Sequence, residues 1–298
     1  MNRIGRWISI ALGAIVAMLL VAAASVYALS ERRLRRVYPV ALAMPRAIPQ
    51  DSAAVARGAH LARIAVCTAC HAPDLGGGVY SSSRMLGTIA GPNLTRGLGG
   101  IAPSDTDVVR AVHHGVHPDG TSLVVMPSEV FVRLSESDLA ALIAYVRQLA
   151  PVDREVPRTR FGPLGRALLA AGKLNILVAP KTPAMPLRAG PTPDSTPEYG
   201  RYLANVTGCH GCHGFGLSGG RVAGPPGLPP AANLTPAGNL ARWSEADFAR
   251  ALREGRRPDG SPLDEFMPWR SYAHMTDTEV VALWRYLRTV PPKPFGGK

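Results

Sequence analysis

The chain is predicted to be all-α, with one N-terminal transmembrane helix followed by two tandem copies of a small helical domain. Three observations carry that prediction. The run Ile8–Leu29 is 22 uncharged, mostly apolar residues, which as a helix would rise about 33 Å and cross a bilayer. Beyond it, residue pairs match at offsets of 140–142 along the rest of the sequence, the signature of one fold used twice. No run shows the sustained apolar–polar alternation of a sheet.

Taken in order, residues 1–36 read as a signal anchor. A cleaved signal peptide has an apolar region of only about 7–15 residues, so retention is favoured, although Ala22–Ala24 and Val26-Tyr27-Ala28 offer small residues to a peptidase. Arg32, Arg33, Arg35 and Arg36 follow the span and suit lipid headgroups. They outnumber Arg3 and Arg6 before it, so a positive-inside count alone would put the body in the cytoplasm.

The first copy covers residues 51–152. Ala53–Cys67 reads as its opening helix, Ser104 with Asp107 starts a helix running to His113 or His114, and Ser135 with Asp138 starts Leu139–Leu149. Residues 153–191 form a linker whose prolines keep it semi-rigid and extended. Its one apolar piece, Leu164–Val178, is read as a short helix covering the seam between the copies, with a membrane-surface or partner-docking helix as the alternative. The second copy covers residues 192–293, and Ser244 with Asp247 and Thr276 with Glu279 mark the same two helix starts. Tyr145 in one last helix, and Trp284 and Tyr286 in the other, are expected to pack on the opening helices where Gly58 and Gly200 allow close approach.

All four cysteines fall in two short motifs 142 residues apart, Cys67-Thr68-Ala69-Cys70-His71 and Cys209-His210-Gly211-Cys212-His213. Thiols three apart on a helical turn face the same way and can both form thioethers to the vinyl groups of one porphyrin. The histidine that follows then lies beneath the iron, so His71 and His213 are expected as proximal ligands of two covalent haems c. Competing chemistries fit poorly. A structural zinc site wants its two CxxC pairs about 15–20 residues apart. A thioredoxin-like motif needs a βαβ context, and four thioethers leave no thiol for a disulfide.

The distal ligand separates a closed electron carrier from a reaction site. Met126-Pro127 lies 55 residues after His71 and Met267-Pro268 lies 54 after His213. A lone methionine is usually core filler, but a duplicated Met-Pro at matched spacing points to ligation. Thioether ligation raises the potential. Rivals are Met85, His113, His114 and His117 in the first copy and His274 and Met275 in the second; the histidines do not recur between copies and are read as surface or propionate-side residues. His210, inside its own motif, is read as an exposed histidine that tunes potential with pH.

With these residues in place, both halves resemble class I cytochrome c domains, with CxxCH after the first helix and a methionine loop before the last. Asn93-Leu94-Thr95 and Asn233-Leu234-Thr235, with Pro118-Asp119-Gly120 and Pro258-Asp259-Gly260 before each Met-Pro, make residues 51–292 similar to the cytochrome subunits of membrane-bound alcohol, aldehyde and gluconate dehydrogenases. Those subunits commonly carry three haems, and this chain has motifs for two. The resemblance implies that a proline carbonyl near the Asn-Leu-Thr element holds the proximal histidine, a role for Pro92. Ala232 stands at the aligned position of the second copy, with Pro229 and Pro230 upstream. It also implies haem attachment outside the cytoplasmic membrane, which overrules the arginine count and places the haem domains in the periplasm.

The expected function is one-electron transfer by a membrane-tethered carrier with no catalysis of its own, its partners being the membrane and a dehydrogenase, oxidase or soluble cytochrome. A non-catalytic subunit of a membrane-bound dehydrogenase is the alternative within that class. A di-haem peroxidase or thiol-oxidising enzyme is the alternative outside it, and the matched methionines oppose it. Of the net charge of +12, residues 1–36 hold +5 and the remainder +7, which haem propionates would reduce further. No basic stripe interleaved with aromatics supports nucleic-acid binding.

Overall fold

The computed structural model describes residues 3–222 and 227–297; the ends of the predicted anchor and tail, and residues 223–226 of the second copy, lie outside it. Helix α1 (Arg3–Leu34) is long and apolar enough to cross a membrane, and its apolar window is uncovered by the rest of the protein. Then follow α2 (Ser52–Ile64), α3 (Cys67–His71), strands β1 (Gly78–Ser83) and β2 (Gly87–Gly91), α4 (Asp105–Val109), α5 (Ser128–Phe131) and α6 (Glu136–Arg147). Strand β3 (Arg160–Phe161) and α7 (Pro163–Ala170) lead to α8 (Pro197–Val206), α9 (Cys209–His213), α10 (Glu245–Glu254), α11 (Trp269–Tyr272) and α12 (Asp277–Thr289). The protein is predominantly helical, and α2–α6 recur in order as α8–α12 at the offsets of the sequence matches.

Local chemistry sets the helix starts. Ser104 with Asp107, Ser244 with Asp247 and Thr276 with Glu279 each form the reciprocal side-chain cap that satisfies two orphan N–H groups. Gly58 and Gly200 sit where α2 crosses α6 and α8 crosses α12. A Cβ on either would collide with the facing carbonyl, of Ala141 or Ala282, and come within 2.7–2.8 Å of the Cβ of Tyr145 or Tyr286.

Several expectations need correction. The fold is not purely α: β1, β2 and β3 form a small antiparallel sheet. Its strands escaped notice because β1, Gly-Val-Tyr-Ser-Ser-Ser, lies almost wholly in solvent and so carries no alternation. The opening helix ends at Ile64, and Val66 in the left-handed region separates it from α3. After α4 the chain continues as a π-helical turn, Arg110–His114, which carries His113 fully into the interior, where its Nε2 lies 2.8 Å from the Met185 carbonyl. That histidine is therefore not on the surface. Helix α7 does not cover the seam between the copies; it packs against α1, while Leu177 and Val178 pair with the loop at 122–125.

The two halves share one buried core, with Leu61, Ile64, Leu139 and Ile143 from the first and Tyr199, Leu203, Val206 and Leu283 from the second. Over it lies a polar cluster that obeys the repeat. Within each half, Arg57 grips Asp138 through two 2.9 Å bonds, and Tyr199 donates to Glu279 at 3.2 Å. Across the seam, His60 Nε2 lies 2.8 Å from Glu279 Oε2, and Tyr202 donates to Asp138 at 2.6 Å. Positions 57 and 199, 60 and 202, and 138 and 279 are repeat equivalents, so the halves meet about a local pseudo-twofold. Arg57 adds a 3.1 Å bond to Glu279. The Ser135 cap is one-sided: Ser135 accepts from the Asp138 N–H, and the Asp138 carboxylate bonds Arg57 and Tyr202 with no reciprocal bond to the Ser135 N–H.

Candidate functional site

Each CxxCH motif forms one short helix bounded by left-handed or otherwise positive-φ residues. Val66 (φ 64°) and Gly208 (φ 84°) precede α3 and α9, and Ala72 (φ 64°) and Gly214 (φ 77°) follow them. The four cysteine side chains are half-buried, and burial pushes the thiol up from its ordinary value, Cys67 to about 12. Among the described residues no group of three or more His, Cys, Asp or Glu side chains is placed to hold a bare metal ion.

The histidines are held alike. His71 Nδ1 donates to the Pro92 carbonyl at 3.0 Å, and His213 Nδ1 donates to the Ala232 carbonyl at 2.8 Å. Burial pushes both imidazoles below the ordinary histidine value, although the carbonyl bonds oppose it. With the proton on Nδ1, each neutral ring leaves its Nε2 lone pair free, as an iron ligand requires. Ala232 serves as well as Pro92 because the acceptor is a backbone carbonyl.

The Asn-Leu-Thr elements aim those carbonyls. Asn93 Nδ2 donates to the Val152 carbonyl at 2.7 Å and Asn233 Nδ2 to the Lys293 carbonyl at 2.8 Å, positions again related by the repeat. Each Asn Oδ1 accepts the N–H of the following Thr95 or Thr235 at 2.9 Å. These buried side chains tie the residues just after Pro92 and Ala232 to the chain leaving the last helix.

Met126 and Met267 are half-buried against the core in loops pinned at both ends. Before them, Gly120 and Gly260 (φ 80° and 82°) complete tight turns in which Asp119 accepts from the Thr121 N–H and Asp259 from the Ser261 N–H, both at 2.9 Å. After them, Pro127 and Pro268 cap α5 and α11. Of the rivals, Met275 is only 2 % exposed in the core, Met85 is exposed on the hairpin tip, and His117 and His274 face solvent. His210 is half-buried, not exposed, and stacks on Phe215 at 6.4 Å between centroids.

These pieces, a short CxxCH helix, a carbonyl-held histidine and a pinned methionine loop, recur in both halves, and in the first they coincide with a family match: the cytochrome c profile covers residues 55–150. Residues 55–150 are a cytochrome c domain. Beyond that domain, the chain is similar to the cytochrome c subunit of quinone alcohol dehydrogenase from Gluconacetobacter polyoxogenes, at 31% identity over 279 residues, 82% of this chain and 57% of the relative. It is also similar to the fructose dehydrogenase cytochrome subunit of Gluconobacter japonicus (29%, 82% of this chain, 54% of the relative). The gluconate 2-dehydrogenase cytochrome c subunit of Pantoea cypripedii matches at 30% (82% of this chain, 61% of the relative). The chain thus spans just over half the length of these relatives.

Sequence reading missed the seam cluster of Arg57, His60, Asp138, Tyr199, Tyr202 and Glu279. One signal was present: positions 57 and 60 in the first copy and 199 and 202 in the second place polar or phenolic groups three residues apart, on one face of α2 and of α8. Their partners became visible only once the helices were packed.

Proposed function

We propose that the chain is the electron-transfer cytochrome subunit of a membrane-bound dehydrogenase, carrying two covalent haems c on two tandem class I cytochrome c domains, residues 51–152 and 192–293, held at the periplasmic face by α1. The observation that carries the di-haem reading is the paired geometry at His71–Pro92 and His213–Ala232. Cys67 and Cys70, and Cys209 and Cys212, are the thioether pairs; His71 with Met126, and His213 with Met267, are the axial pairs. Each haem supplies a one-electron ferric–ferrous couple when bound. The chain's part is to hold each histidine by its Nδ1–H, each methionine in a pinned loop, and both halves in one fixed relation through the seam. A site closed on both faces changes little on reduction, which suits a relay better than an oxygen- or peroxide-activating enzyme.

The similarity to dehydrogenase cytochrome subunits favours the subunit over a free-standing carrier. Detergent extraction of native membranes followed by affinity isolation is expected to bring down a flavin or quinoprotein dehydrogenase; recovery with a terminal oxidase instead would overturn the subunit reading. Haem number is checked separately. The alkaline pyridine haemochrome of the purified chain is expected to give about two haems per polypeptide, and Cys209→Ser with Cys212→Ser about one. A wild-type value of one overturns the di-haem reading.

A further inference from the structure

Helix α7 and the tip of the β1–β2 hairpin form one apolar and basic face at the level where α1 leaves the bilayer. Arg166 of α7 donates from Nη1 to Ser30 Oγ and Glu31 Oε2, both at 3.0 Å, and its guanidinium sits 4.4 Å from the Tyr27 ring centroid. Arg33 lies against Gly172 just beyond α7. These contacts belong to the last turns of α1, on either side of Leu29, where the uncharged run ends. The hairpin is clamped to α7 by its backbone: the Met85 carbonyl accepts the N–H groups of Leu164 and Gly165 at 3.0 and 3.2 Å, and the Leu86 carbonyl accepts that of Gly162 at 3.0 Å. At Gly165 any side chain would collide with the Leu86 carbonyl.

What this clamped unit presents to solvent is apolar: Met85 is 55 % exposed, Leu86 47 % and Leu164 42 %. A hairpin tip facing only water would ordinarily be polar. Around them the charge has one sign. Arg32, Arg33, Arg35, Arg36, Arg84, Arg160 and Lys173 are exposed, and the segments 81–91 and 160–173 contain no Asp or Glu. Glu31, the nearby acid in α1, is taken up by Arg35 and Arg166.

We propose that this face lies on the anionic headgroup layer of the bilayer that α1 crosses, with Met85, Leu86 and Leu164 dipping into the acyl boundary and the arginines on lipid phosphates. It rests on the reading of α1 as a membrane span. A lipid surface is favoured over a protein partner because the face is continuous with the end of the span, so whatever bilayer surrounds α1 meets Tyr27 and then α7 without a gap. The consequence is orientation: the first cytochrome domain is held against the membrane at two points, the helix end and the hairpin tip, and cannot swing as on a single tether.

The test uses the haem-loaded full chain in lipid nanodiscs of phosphatidylethanolamine and phosphatidylglycerol containing a phosphatidylglycerol with a photoactivatable diazirine near its headgroup. Mass spectrometry of the cross-linked protein is expected to find lipid adducts at residues 84–86 and 164 as well as in the last turns of α1. Replacing the phosphatidylglycerol by phosphatidylcholine, with a phosphatidylcholine probe, should lower the yield at 84–86 several-fold while leaving α1 labelled. Adducts in α1 but none at 84–86 or 164 overturn the proposal and spare the span; no adducts in α1 overturn the span itself. Equal yields in the two lipids remove the anionic preference, and cross-links from Met85 to another protein in native membranes would show that a subunit, not lipid, covers the face.

Discussion

Replacing Glu279 by alanine is expected to destabilise the folded chain by about 3–5 kcal/mol, the usual cost of removing one member of a buried charge cluster. The carboxylate is 3 % exposed and accepts from Arg57 at 3.1 Å, from His60 at 2.8 Å, from Tyr199 at 3.2 Å and from the Thr276 N–H at 2.9 Å. Alanine leaves Arg57 with Asp138 alone and His60 without this acceptor, and it removes half of the α12 cap. Denaturant unfolding in detergent, followed by far-ultraviolet circular dichroism, measures the loss; a shift under about 1 kcal/mol would sink the claim that this cluster holds the seam. The same group predicts a pH dependence. Burial by itself would raise the Glu279 carboxyl, but the His60 bond, the Thr276 N–H and the positive charges of His60 and Arg57 outweigh it and hold the group at about 2, against an ordinary 4.5. A carboxyl lowered on folding stabilises the native state above its unfolded value and loses that contribution as pH falls. About 3 kcal/mol is thus expected to be present above pH 5 and to fade between roughly pH 5 and 2. In Glu279→Gln that part of the acid sensitivity should be missing, whatever other carboxylates contribute.

Met126→Ala and Met267→Ala are each expected to lower the potential of one haem by a sizeable part of the roughly 0.8 V over which axial ligands tune haem iron. Removing the thioether takes away the soft donor that favours the ferrous state and opens the distal face. Each variant should therefore bind carbon monoxide when reduced, at one haem only, and show a high-spin signal when oxidised. The pinning of both loops makes replacement by a neighbour unfavourable, since Met275 is locked in the core and Met85 lies on the hairpin tip. Potentiometric titration with optical detection reads the result, and an unchanged potential in either variant would falsify that methionine's assignment. Because the two loops differ by one residue in length, the two shifts need not be equal.

Much of the candidate site was legible because the chemistry proposed for it is local. Thioether attachment needs two thiols and a histidine within five residues, and a helix cap needs two side chains three apart, so Cys67–His71, Cys209–His213 and the caps of α4, α10 and α12 could be read from spacing alone. The matched Met-Pro and Asn-Leu-Thr pairs were visible as a repeat. The role of Asn93 and Asn233 was not, since their partners at Val152 and Lys293 lie about 60 residues away. Nor was the support of His213 predictable from residue type, because a carbonyl acceptor depends on backbone path and not on side chain.

By itself, then, the amino-acid sequence determined the two CxxCH motifs, the repeated helical plan and the apolar N-terminal run, all of them properties of short segments or of periodicity. Only the tertiary structure decided which surfaces meet: that Arg57 and His60 face Glu279 across a pseudo-twofold seam, that His113 turns inward on a π-helical turn, and that α7 with the hairpin tip lies beside the end of α1 and not between the domains. Those outcomes turn on burial and on hydrogen bonds between groups 70 to 220 residues apart, whose energies exist only after the chain has packed and which leave no local pattern to read.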